Sequence, residues 1–395
     1  MTSPARHDVI IAGLGAMGSA AAYQLAQRGA RVLGLDRFRP PHALGSSHGQ
    51  SRIIRTAYFE HPAYVPLLQR AWQLWLDLQH ISGRELLQQT GGLMIGPSDG
   101  VLIPGVLRSA KQHGLAHELL TAAAVRERYP ALRPGADMQA VWEPAAGVLF
   151  AEACIEAQLQ AAAKHGAQLQ YDEPLTHWTQ DGTGVRVFTA QGEYRAKQLL
   201  LTAGAWVGSL LPALASSFTV ERQVLYWFDR ASDRASDRAS DPAGDQASNQ
   251  AGDAGQFAPA LCPVHLWETP AQRFFYGFPD FGTGIKVAIH HEGQRSDPDR
   301  LNRVVSPAEV TAMRALLAKY LPAANGALRS TEVCMYTNSN DEHFWIDRLA
   351  GQPAVLLASA CSGHGFKFAS VLGCVLADLL LDGHSAFDLS LFKRR

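Results

Sequence analysis

The sequence predicts an α/β fold, α+β overall, because strand and helix signals alternate at both ends of the chain. A short β-branched run ends in Gly13-Leu14-Gly15-Ala16-Met17-Gly18, and an alanine-rich helical pattern follows it at about 15–27. A second apolar run, at 31–35, ends in Asp36. Strand, glycine turn, helix, strand and terminal acid form a complete βαβ unit. The first domain is therefore predicted to be Rossmann-like and to bind a dinucleotide.

The three glycines of the turn have separate roles in this prediction. Gly13 permits a tight turn, Gly15 lets the backbone approach a pyrophosphate, and Gly18 lets the helix pack closely on the strand. The helix N-terminus, at Ala16 and Met17, then presents unpaired N–H groups to the phosphates. A glycine turn needed only for packing is the alternative interpretation of such a motif.

The acid that ends the second strand narrows the choice of cofactor. Asp36 follows Gly18 by 18 residues, which places it to accept hydrogen bonds from a ribose, and Arg37 adjoins it. An acid at this position favours an adenosine ribose without a 2′-phosphate. FAD and NAD both satisfy this requirement, so the choice between them depends on other parts of the chain.

Further elements along the chain define the predicted domains. They are helices at 64–78 and 369–381 and strands at 184–190, 198–202 and 354–359. Because parallel units lie at both ends with different material between them, the cofactor domain is predicted to be discontinuous. It comprises residues 1–85, 146–215 and 325–395. A second, sheet-rich substrate domain comprises residues 86–145 and 216–324.

The segment 230–256 differs in composition from the rest of the chain. Arg-Ala-Ser-Asp occurs three times in succession, and a stretch rich in Gly, Ala, Asp and Gln follows. Such a segment has almost no apolar side chains to bury, so it is predicted to be a disordered, low-complexity insertion. A docking tail is the functional alternative.

Composition excludes several classes of protein. The chain has 395 residues, 47% hydrophobic and 18% charged, with a net charge of −1, so nucleic acid and anionic membranes are poor candidate partners. No apolar run is long enough to span a membrane. The five cysteines are widely spaced and show no metal-ligand pattern, so no metal site is predicted. Such cysteines are typical of a reduced, cytoplasmic protein.

Two further segments carry side chains that suit redox chemistry. His48, Arg52 and Arg55 lie in one polar stretch, where the two arginines share a face only if the segment is helical. A solvated loop is the alternative for this stretch. Near the C-terminus, Cys334 and Lys367 lie in the motifs Val-Cys-Met-Tyr-Thr-Asn and Ser-Gly-His-Gly-Phe-Lys-Phe. A phosphate cradle at one end, with a thiol, a phenol and a lysine at the other, favours a flavin, which could be covalently bound.

As a set, these motifs resemble those of the monomeric sarcosine oxidase and N-methyl-L-tryptophan oxidase family, FAD-dependent amine oxidoreductases. The resemblance covers the whole chain apart from 230–256. Besides the fingerprint, it is carried by Gly45-Ser46-x-His48-Gly49-x-x-Arg52-Ile53-Ile54-Arg55-x-Ala57-Tyr58, Tyr276-Gly277-Phe278-Pro279, Lys286 with His290, Cys334-Met335-Tyr336-Thr337-Asn338, Asp341-Glu342-His343-Phe344 and 362–368.

The resemblance implies a role for several single residues. Cys334 would be the thiol joined to the flavin 8α-methyl, and Lys286 would lie at the flavin face where O₂ is reduced. Arg55 and Lys367 would clamp the substrate carboxylate. The resemblance also implies that Lys286, Arg52, His290 and Tyr336 are catalytic, and it implies further residues at each site. On the substrate side they are Tyr58, Tyr336 and His290, and at the cofactor Gly13, Gly15, Ala16, Met17, Gly18, Asp36, Arg37, His48, Ser51, Arg52, Gly363, Gly365, Phe366 and Lys367.

Each of these side chains also has an interpretation without chemistry. Taken alone, Cys334 would be a structural thiol and Lys286 a surface lysine. The sequence also departs from the family pattern in the first loop. Family members often have two adjacent histidines there and Asp-Thr before the first arginine, where this chain has Ser47-His48 and Gln50-Ser51. The packing around a flavin is therefore expected to differ.

The resemblance implies a function as well as a fold. It is the oxidation of N-methyl L-amino acids of the sarcosine or N-methyl-L-tryptophan type by FAD and O₂, giving the primary amino acid, formaldehyde and H₂O₂. It also implies a monomer that acts on a small molecule. The alternatives are oxidation of a cyclic imino acid or a glycated amine, an FAD dehydrogenase that does not use O₂, and a non-catalytic flavin-binding module.

Overall fold

The computed structural model describes residues 6–182, 184–231 and 255–393. Most of the predicted insertion, residues 232–254, lies outside the described residues, so its disorder stays a prediction. Among the helices of the described part, none is both long and apolar enough to cross a membrane.

The strands of the described chain are numbered in order. They are β1 Arg6–Ala12, β2 Val32–Leu35, β3 Ser51–Arg55, β4 Leu87–Gln89, β5 Gly92–Pro97, β6 Glu118–Thr121, β7 Met138–Glu143, β8 Ala146–Phe150, β9 Gln168–Gln170, β10 His177–Asp181, β11 Gly184–Phe188, β12 Glu193–Leu201, β13 Phe218–Phe228, β14 Val264–Glu268, β15 Phe274–Gly277, β16 Ile285–His290, β17 Leu328–Ser339, β18 Trp345–Leu349 and β19 Gln352–Ser359.

The helices are numbered in the same way. They are α1 Ala16–Gln27, α2 Val65–Ser82, α3 Leu102–His113, α4 Ala122–Arg128, α5 Ala151–Lys164, α6 Val207–Leu210, α7 Pro307–Tyr320 and α8 Ala369–Leu381. Single 3₁₀ turns join several of these elements, and one of them, Phe366–Phe368, leads directly into α8.

The first sheet contains the predicted βαβ unit. Strand β1 pairs in parallel with β2 on one side and with β12 on the other, and β12 pairs in parallel with β19. Strands β10 and β11 extend the sheet in antiparallel fashion beyond β12, and β9 adds to it beyond β2. Helix α1 packs against α5 and α8, where Gly373 meets the backbone of Ala20. The predicted α/β fold with a Rossmann-like unit is confirmed.

The fingerprint glycines have the local geometry that their roles require. Gly13 has a φ of 99°, and a Cβ there would collide with the Thr202 carbonyl. A Cβ on Gly18 would collide with the carbonyl of Gly13, so this glycine serves the close contact between turn and helix. A Cβ on Gly15 would meet only the Ser47 hydroxyl, at 3.6 Å, because this position faces open space. That open space is the first cavity described below.

The second sheet has eight strands in the described part of the chain. Its order is β17-β13-β16-β15-β14-β5-β7-β6, and a separate three-stranded sheet has the order β3-β8-β4. The long antiparallel pair β13–β17 aligns Gln223 with Cys334 and Glu221 with Tyr336. The predicted boundary at 325 assigns β17 to the cofactor domain, whereas its hydrogen bonds join it to this second sheet.

Several predicted elements match the structure closely. The last helix has the predicted bounds, and the first helix and first two strands agree within about two residues. The predicted strand at 198–202 is the last part of a longer strand, β12. The segment with Arg52 and Arg55 is strand β3, not a helix. Both arginines line the smaller of the two cavities described below.

Candidate active site

A cavity of about 510 Å³ lies along the carboxyl ends of β1 and β2. Its lining includes seven of the predicted cofactor residues, which are Gly13, Gly15, Ala16, Met17, Asp36, Arg37 and Phe366. The N-terminal turn of α1 opens onto it, and such a turn presents unpaired N–H groups and a positive dipole end. This end of the cavity therefore suits the phosphates of a dinucleotide.

Asp36 is held rigidly at the edge of this cavity. One carboxylate oxygen accepts from the Leu14 amide at 2.6 Å, and the other accepts from the Phe38 amide at 2.8 Å. Burial raises the pKa of Asp36, and these two amide donors oppose that rise. Arg37 also lines the cavity and pairs with Asp299 at 2.7 Å. The carboxylate is thus oriented by the backbone and keeps lone pairs for a ribose.

A second cavity, of about 100 Å³, adjoins the first. The two share Ser46, Cys361 and Phe366 in their linings. The predicted residues that line the smaller cavity come from β3, β16, β17 and the segment before α8. They are Arg52, Arg55, His290, Cys334, Tyr336, Gly363, Gly365, Phe366 and Lys367.

Arg55 is already paired in this structure. Its Nη2 donates to both carboxylate oxygens of Glu60, at 2.9 and 2.8 Å, and Nη1 donates to the Ala57 carbonyl at 2.9 Å. Burial opposes the charge on Arg55, but Glu60 raises its pKa further and keeps it protonated. A substrate carboxylate must therefore compete with Glu60 for this guanidinium. Sequence reasoning did not identify Glu60, although it lies only five residues beyond Arg55.

Lys367 is buried beside Tyr58 and His364. Its Nζ donates to the His364 carbonyl at 2.7 Å and contacts the Tyr58 hydroxyl at 3.5 Å. Burial and the charge of Arg55 lower the pKa of Lys367 to about 7. His364 Nε2 can only donate to the Glu342 carbonyl, at 3.0 Å, so Nδ1 accepts from Tyr58, at 2.7 Å. Tyr58 thus lies behind the lysine and orients it.

Tyr336 and His290 form a hydrogen-bonded pair on the wall of the smaller cavity. The Tyr336 hydroxyl and His290 Nδ1 are 3.1 Å apart. Gly363, with a φ of 74°, makes room for them, since a Cβ there would lie 2.7 Å from the Tyr336 ring and 2.9 Å from the His290 ring. Burial and the nearby His291 lower the pKa of His290 well below its usual range, so this imidazole is neutral.

Cys334 lies where the two cavities approach each other. Its Sγ is 3.8 Å from Arg52 Nη2 and 3.5 Å from the Ser46 carbonyl. Burial alone would raise the pKa of this thiol, but His48 and Arg52 overcome burial and lower the pKa to about 7. Arg52 itself is anchored by carbonyls of the preceding loop, at 3.0 Å from Ser46 and 2.5 Å from His48. The thiol of Cys334 is thus buried beside the guanidinium of Arg52 and has a lowered pKa.

Lys286 lies behind the cavities and is not among their lining residues. Its Nζ donates to the Gly49 carbonyl at 2.5 Å, to the Ser51 carbonyl at 2.7 Å and to the Ser51 hydroxyl at 3.1 Å. The ring of Phe278 lies beneath the ammonium, 4.8 Å from Nζ. Burial and the charge of Arg52 lower the pKa of Lys286 well below its usual range.

The residues around the two cavities fit an FAD. The larger cavity has a phosphate cradle, an oriented acid and a volume of about 510 Å³, and the smaller one is lined by the thiol of Cys334. A buried polar atom beside this junction, Ser46 Oγ, has no hydrogen-bond partner among the described residues. Buried polar atoms normally have partners, so this hydroxyl suits a polar ligand.

The family model described as FAD dependent oxidoreductase matches residues 8–379. The chain belongs to this family. It is 42% identical to a monomeric sarcosine oxidase of Streptomyces avermitilis, over 98% of this chain and 97% of that relative. It is 35% identical to an N-methyl-L-tryptophan oxidase of Yersinia pestis, over 98% of each chain. The predicted resemblance and the FAD cofactor are therefore confirmed.

Solved structures confirm the fold class independently. NikD, an unusual amino acid oxidase essential for nikkomycin biosynthesis, matches in its open form with a TM-score of 0.82 at 23% identity, over 99% of this chain and 98% of NikD. A glycine oxidase from Geobacillus kaustophilus matches with a TM-score of 0.77 at 20% identity, over 98% of each chain. At these identities the comparison supports the fold alone.

Three acids around the site were not identified from the sequence. Glu60 pairs with Arg55, and Glu143 accepts from the backbone amides of Thr56 and Ala57, each at 2.7 Å. Burial raises the pKa of Glu143 to about 7. Glu332 contacts His48 Nδ1 at 3.0 Å. Only Glu332 had a signal, because alternation along a strand places it on the face of Cys334.

Proposed function

We propose that this protein oxidises small N-methyl L-amino acids of the sarcosine type, using FAD and O₂. The net reaction consumes the amine, O₂ and water, and yields the primary amino acid, formaldehyde and H₂O₂. The relatives named for sarcosine and N-methyl-L-tryptophan oxidation support this proposal over the full chain. The single observation that carries it is the small cavity beside Cys334, where Lys367 and Arg55 converge.

The size of that cavity favours a small substrate. An engineered apolar cavity of about 150 Å³ holds one benzene molecule. The smaller cavity here, at about 100 Å³, suits a molecule of sarcosine's size better than one that carries an indole. Phe59, which lines it, stacks on Phe274 with ring centroids 5.8 Å apart, and this pair narrows that side.

The residues at the smaller cavity have different roles in the proposed reaction. When bound, FAD would accept a hydride equivalent from the C–H bond beside the amine nitrogen and pass its two electrons to O₂. Lys367 and Arg55 bind the substrate carboxylate, and the guanidinium can do so through two parallel hydrogen bonds. The neutral His290 and the hydroxyl of Tyr336 face the amine. Lys286 supplies a buried positive charge where O₂ gains electrons, and such fixed charges stabilise a developing anion.

A peroxide assay across a series of amines tests the proposed function. Sarcosine is expected to give H₂O₂ and formaldehyde in equal amounts, with a higher kcat/KM than N-methyl-L-tryptophan. Glycine serves as the matched substrate that lacks the N-methyl group. A higher kcat/KM for pipecolate or a fructosyl amine would favour the alternative substrates. Flavin reduction without peroxide, with turnover on an artificial acceptor, would favour a dehydrogenase.

We also propose that Cys334 holds the flavin covalently. The S–H bond of the thiol and one C–H bond of the flavin 8α-methyl are replaced by an S–C bond. The two hydrogen atoms and their electrons reduce one O₂ to H₂O₂. The oxidant is therefore O₂, which is also the electron acceptor of the proposed reaction. The thiol's position between the two cavities and its low pKa support this assignment. We further propose that the protein is a cytoplasmic monomer, as the sequence predicts.

Replacing Cys334 with alanine is expected to release the flavin. The parent protein, precipitated with acid, keeps its yellow colour in the pellet because a thioether survives unfolding. In the Cys334→Ala variant the colour is expected in the supernatant. Cys262→Ala is the matched control, since this thiol is buried in the core of the second sheet, away from the cavities. A colourless parent pellet would contradict the covalent proposal and leave the FAD assignment intact.

A further inference from the structure

One acid beside the candidate site has no role in the proposed oxidation. Glu332 precedes Cys334 by two residues on β17, so the two side chains share a face of the strand. Its side chain is 39% exposed, and one carboxylate oxygen lies 3.0 Å from Nδ1 of His48. His48 comes from the loop before β3, so this contact joins segments that are distant in the sequence.

The contact fixes the tautomer of the imidazole. A carboxylate can only accept a hydrogen bond, so Nδ1 of His48 carries a proton. The neutral ring then has its lone pair on Nε2. His48 is only 3% exposed, and its Nε2 makes no hydrogen bond of normal geometry with the described residues. The ring is therefore oriented as a base, with its basic nitrogen inside the protein.

Cys334 is the acid whose proton this imidazole can accept. The two residues belong to one buried cluster, since Arg52 Nη2 is 3.8 Å from Cys334 Sγ and 2.5 Å from the His48 carbonyl. His48 lowers the pKa of the thiol, and against the effect of burial Cys334 and Glu332 raise the pKa of His48 to about 9. A cysteine, a histidine and a third group that orients the histidine form the usual arrangement of an activated thiol nucleophile. The order here is Cys334, His48, Glu332.

We propose that Glu332 is a positioning residue for Cys334, which acts by holding His48 so that Nε2 takes the thiol proton. The proton leaves Sγ and is bound at Nε2, and the resulting imidazolium is stabilised by the carboxylate of Glu332. The thiolate is then ready to form its bond to the flavin methyl carbon. This inference rests on the proposed covalent attachment, but the acid–base pair exists without it.

Other charged and titratable groups surround the pair and are unchanged by substitution of Glu332. They are Arg52 on β3, Glu152 on α5, Tyr276 on β15, Lys286 on β16, Tyr336 on β17, and His42 and Cys361 on loops. Among these surrounding groups, Arg52 lowers the pKa of the thiol, because its guanidinium is 3.8 Å from Sγ. Loss of the Glu332 charge is therefore expected to remove part of the activation.

The test measures the pKa of Cys334 in the full-length, flavin-free protein. The rate of alkylation by iodoacetamide is followed from pH 5 to 10, and mass spectrometry of the Cys334 peptide assigns the site. In the parent the rate is expected to rise with a midpoint near the lowered thiol pKa of about 7. In Glu332→Gln, which keeps the hydrogen bond but removes the charge, the midpoint is expected to move up by about one unit or more.

Matched variants separate positioning from a structural effect. Glu332→Asp retains a carboxylate and is expected to restore most of the parent midpoint. His48→Gln is expected to raise the midpoint, and adding Glu332→Gln to it is expected to change little, because Glu332 acts through His48. Cys262, whose pKa burial raises to about 12, reports in the same samples on general unfolding. Its reaction is expected to stay slow in every folded variant.

A second measurement follows attachment itself. FAD is added to each flavin-free protein, and colour in the acid pellet is recorded over time at pH 7 and pH 9. Glu332→Gln is expected to slow attachment about fivefold at pH 7 and much less at pH 9, because a one-unit rise from a pKa of about 7 lowers the thiolate fraction at pH 7 from about one half to about one tenth. An unchanged midpoint in Glu332→Gln, or additive effects with His48→Gln, overturns the inference. A colourless parent pellet with a midpoint near 7 overturns only the covalent attachment.

Discussion

Replacing Lys286 with methionine is expected to slow the reaction of the reduced enzyme with O₂ by about 100-fold or more. The ammonium is 2% exposed and is the buried positive charge that the proposed function places where O₂ gains electrons. A preorganised charge in a site without water stabilises a developing anion far more than the same charge does in bulk solvent. Methionine fills similar space, so the packing on Phe278 and Trp227 is retained.

Separate timing of the two half-reactions checks this expectation. Loss of flavin colour with substrate, measured without O₂, is expected to change little in Lys286→Met. Return of the colour on mixing with O₂ is expected to be slow. Lys319→Met, at an exposed lysine of α7, is the matched control and should behave like the parent. Equal rates of colour return in Lys286→Met and the parent would contradict the proposed role.

The pH dependence of the same step follows from the lowered pKa of Lys286. Because burial lowers that pKa, the ammonium loses its proton at a lower pH than an ordinary lysine does. The rate of reaction with O₂ is therefore expected to fall as the pH rises through this pKa, and to be maximal below it. Lys286→Met is expected to lack this fall, because methionine does not titrate.

Local sequence signals predicted the parts of the fold that depend on neighbouring residues. The glycine turn, α1, and α8 with its bounds at 369 and 381 all follow from spacing and periodicity. The second sheet was predicted only as sheet-rich material, because its neighbours come from distant segments. Strand β13, for example, lies between β17 and β16, and no local pattern specifies that order.

The site shows the same division between local and distant information. Cys334, Arg55 and Lys367 were found through motifs, and the structure brings all three to the smaller cavity. Their partners are determined by tertiary packing. His48 meets Glu332 from 284 residues away, and this contact converts a lone thiol into part of an acid–base group. Alternation along β17 could have paired Glu332 with Cys334, but it could not have supplied the histidine between them.

Substitutions at Arg55 and Lys367, which are proposed to bind the substrate carboxylate, are expected to slow reduction of the flavin by substrate and to spare its reaction with O₂. Lys367→Met is expected to weaken substrate binding by about 10- to 100-fold, the usual effect of losing one buried hydrogen bond to a charged group. Arg55→Ala alone would leave Glu60 buried without its partner, at a cost of about 3–5 kcal/mol in folding free energy. The double variant Arg55→Met/Glu60→Gln removes both charges and so separates binding from stability.

Both clamp variants are expected to slow the loss of flavin colour with sarcosine while colour return with O₂ stays near the parent rate. Binding of propionate, a carboxylate that the enzyme cannot oxidise, supplies a second test. Lys367 is protonated below its pKa of about 7, so propionate affinity is expected to fall as pH rises through 7. In Lys367→Met that fall should disappear. Parent-like reduction by sarcosine in both variants would show that the carboxylate binds elsewhere.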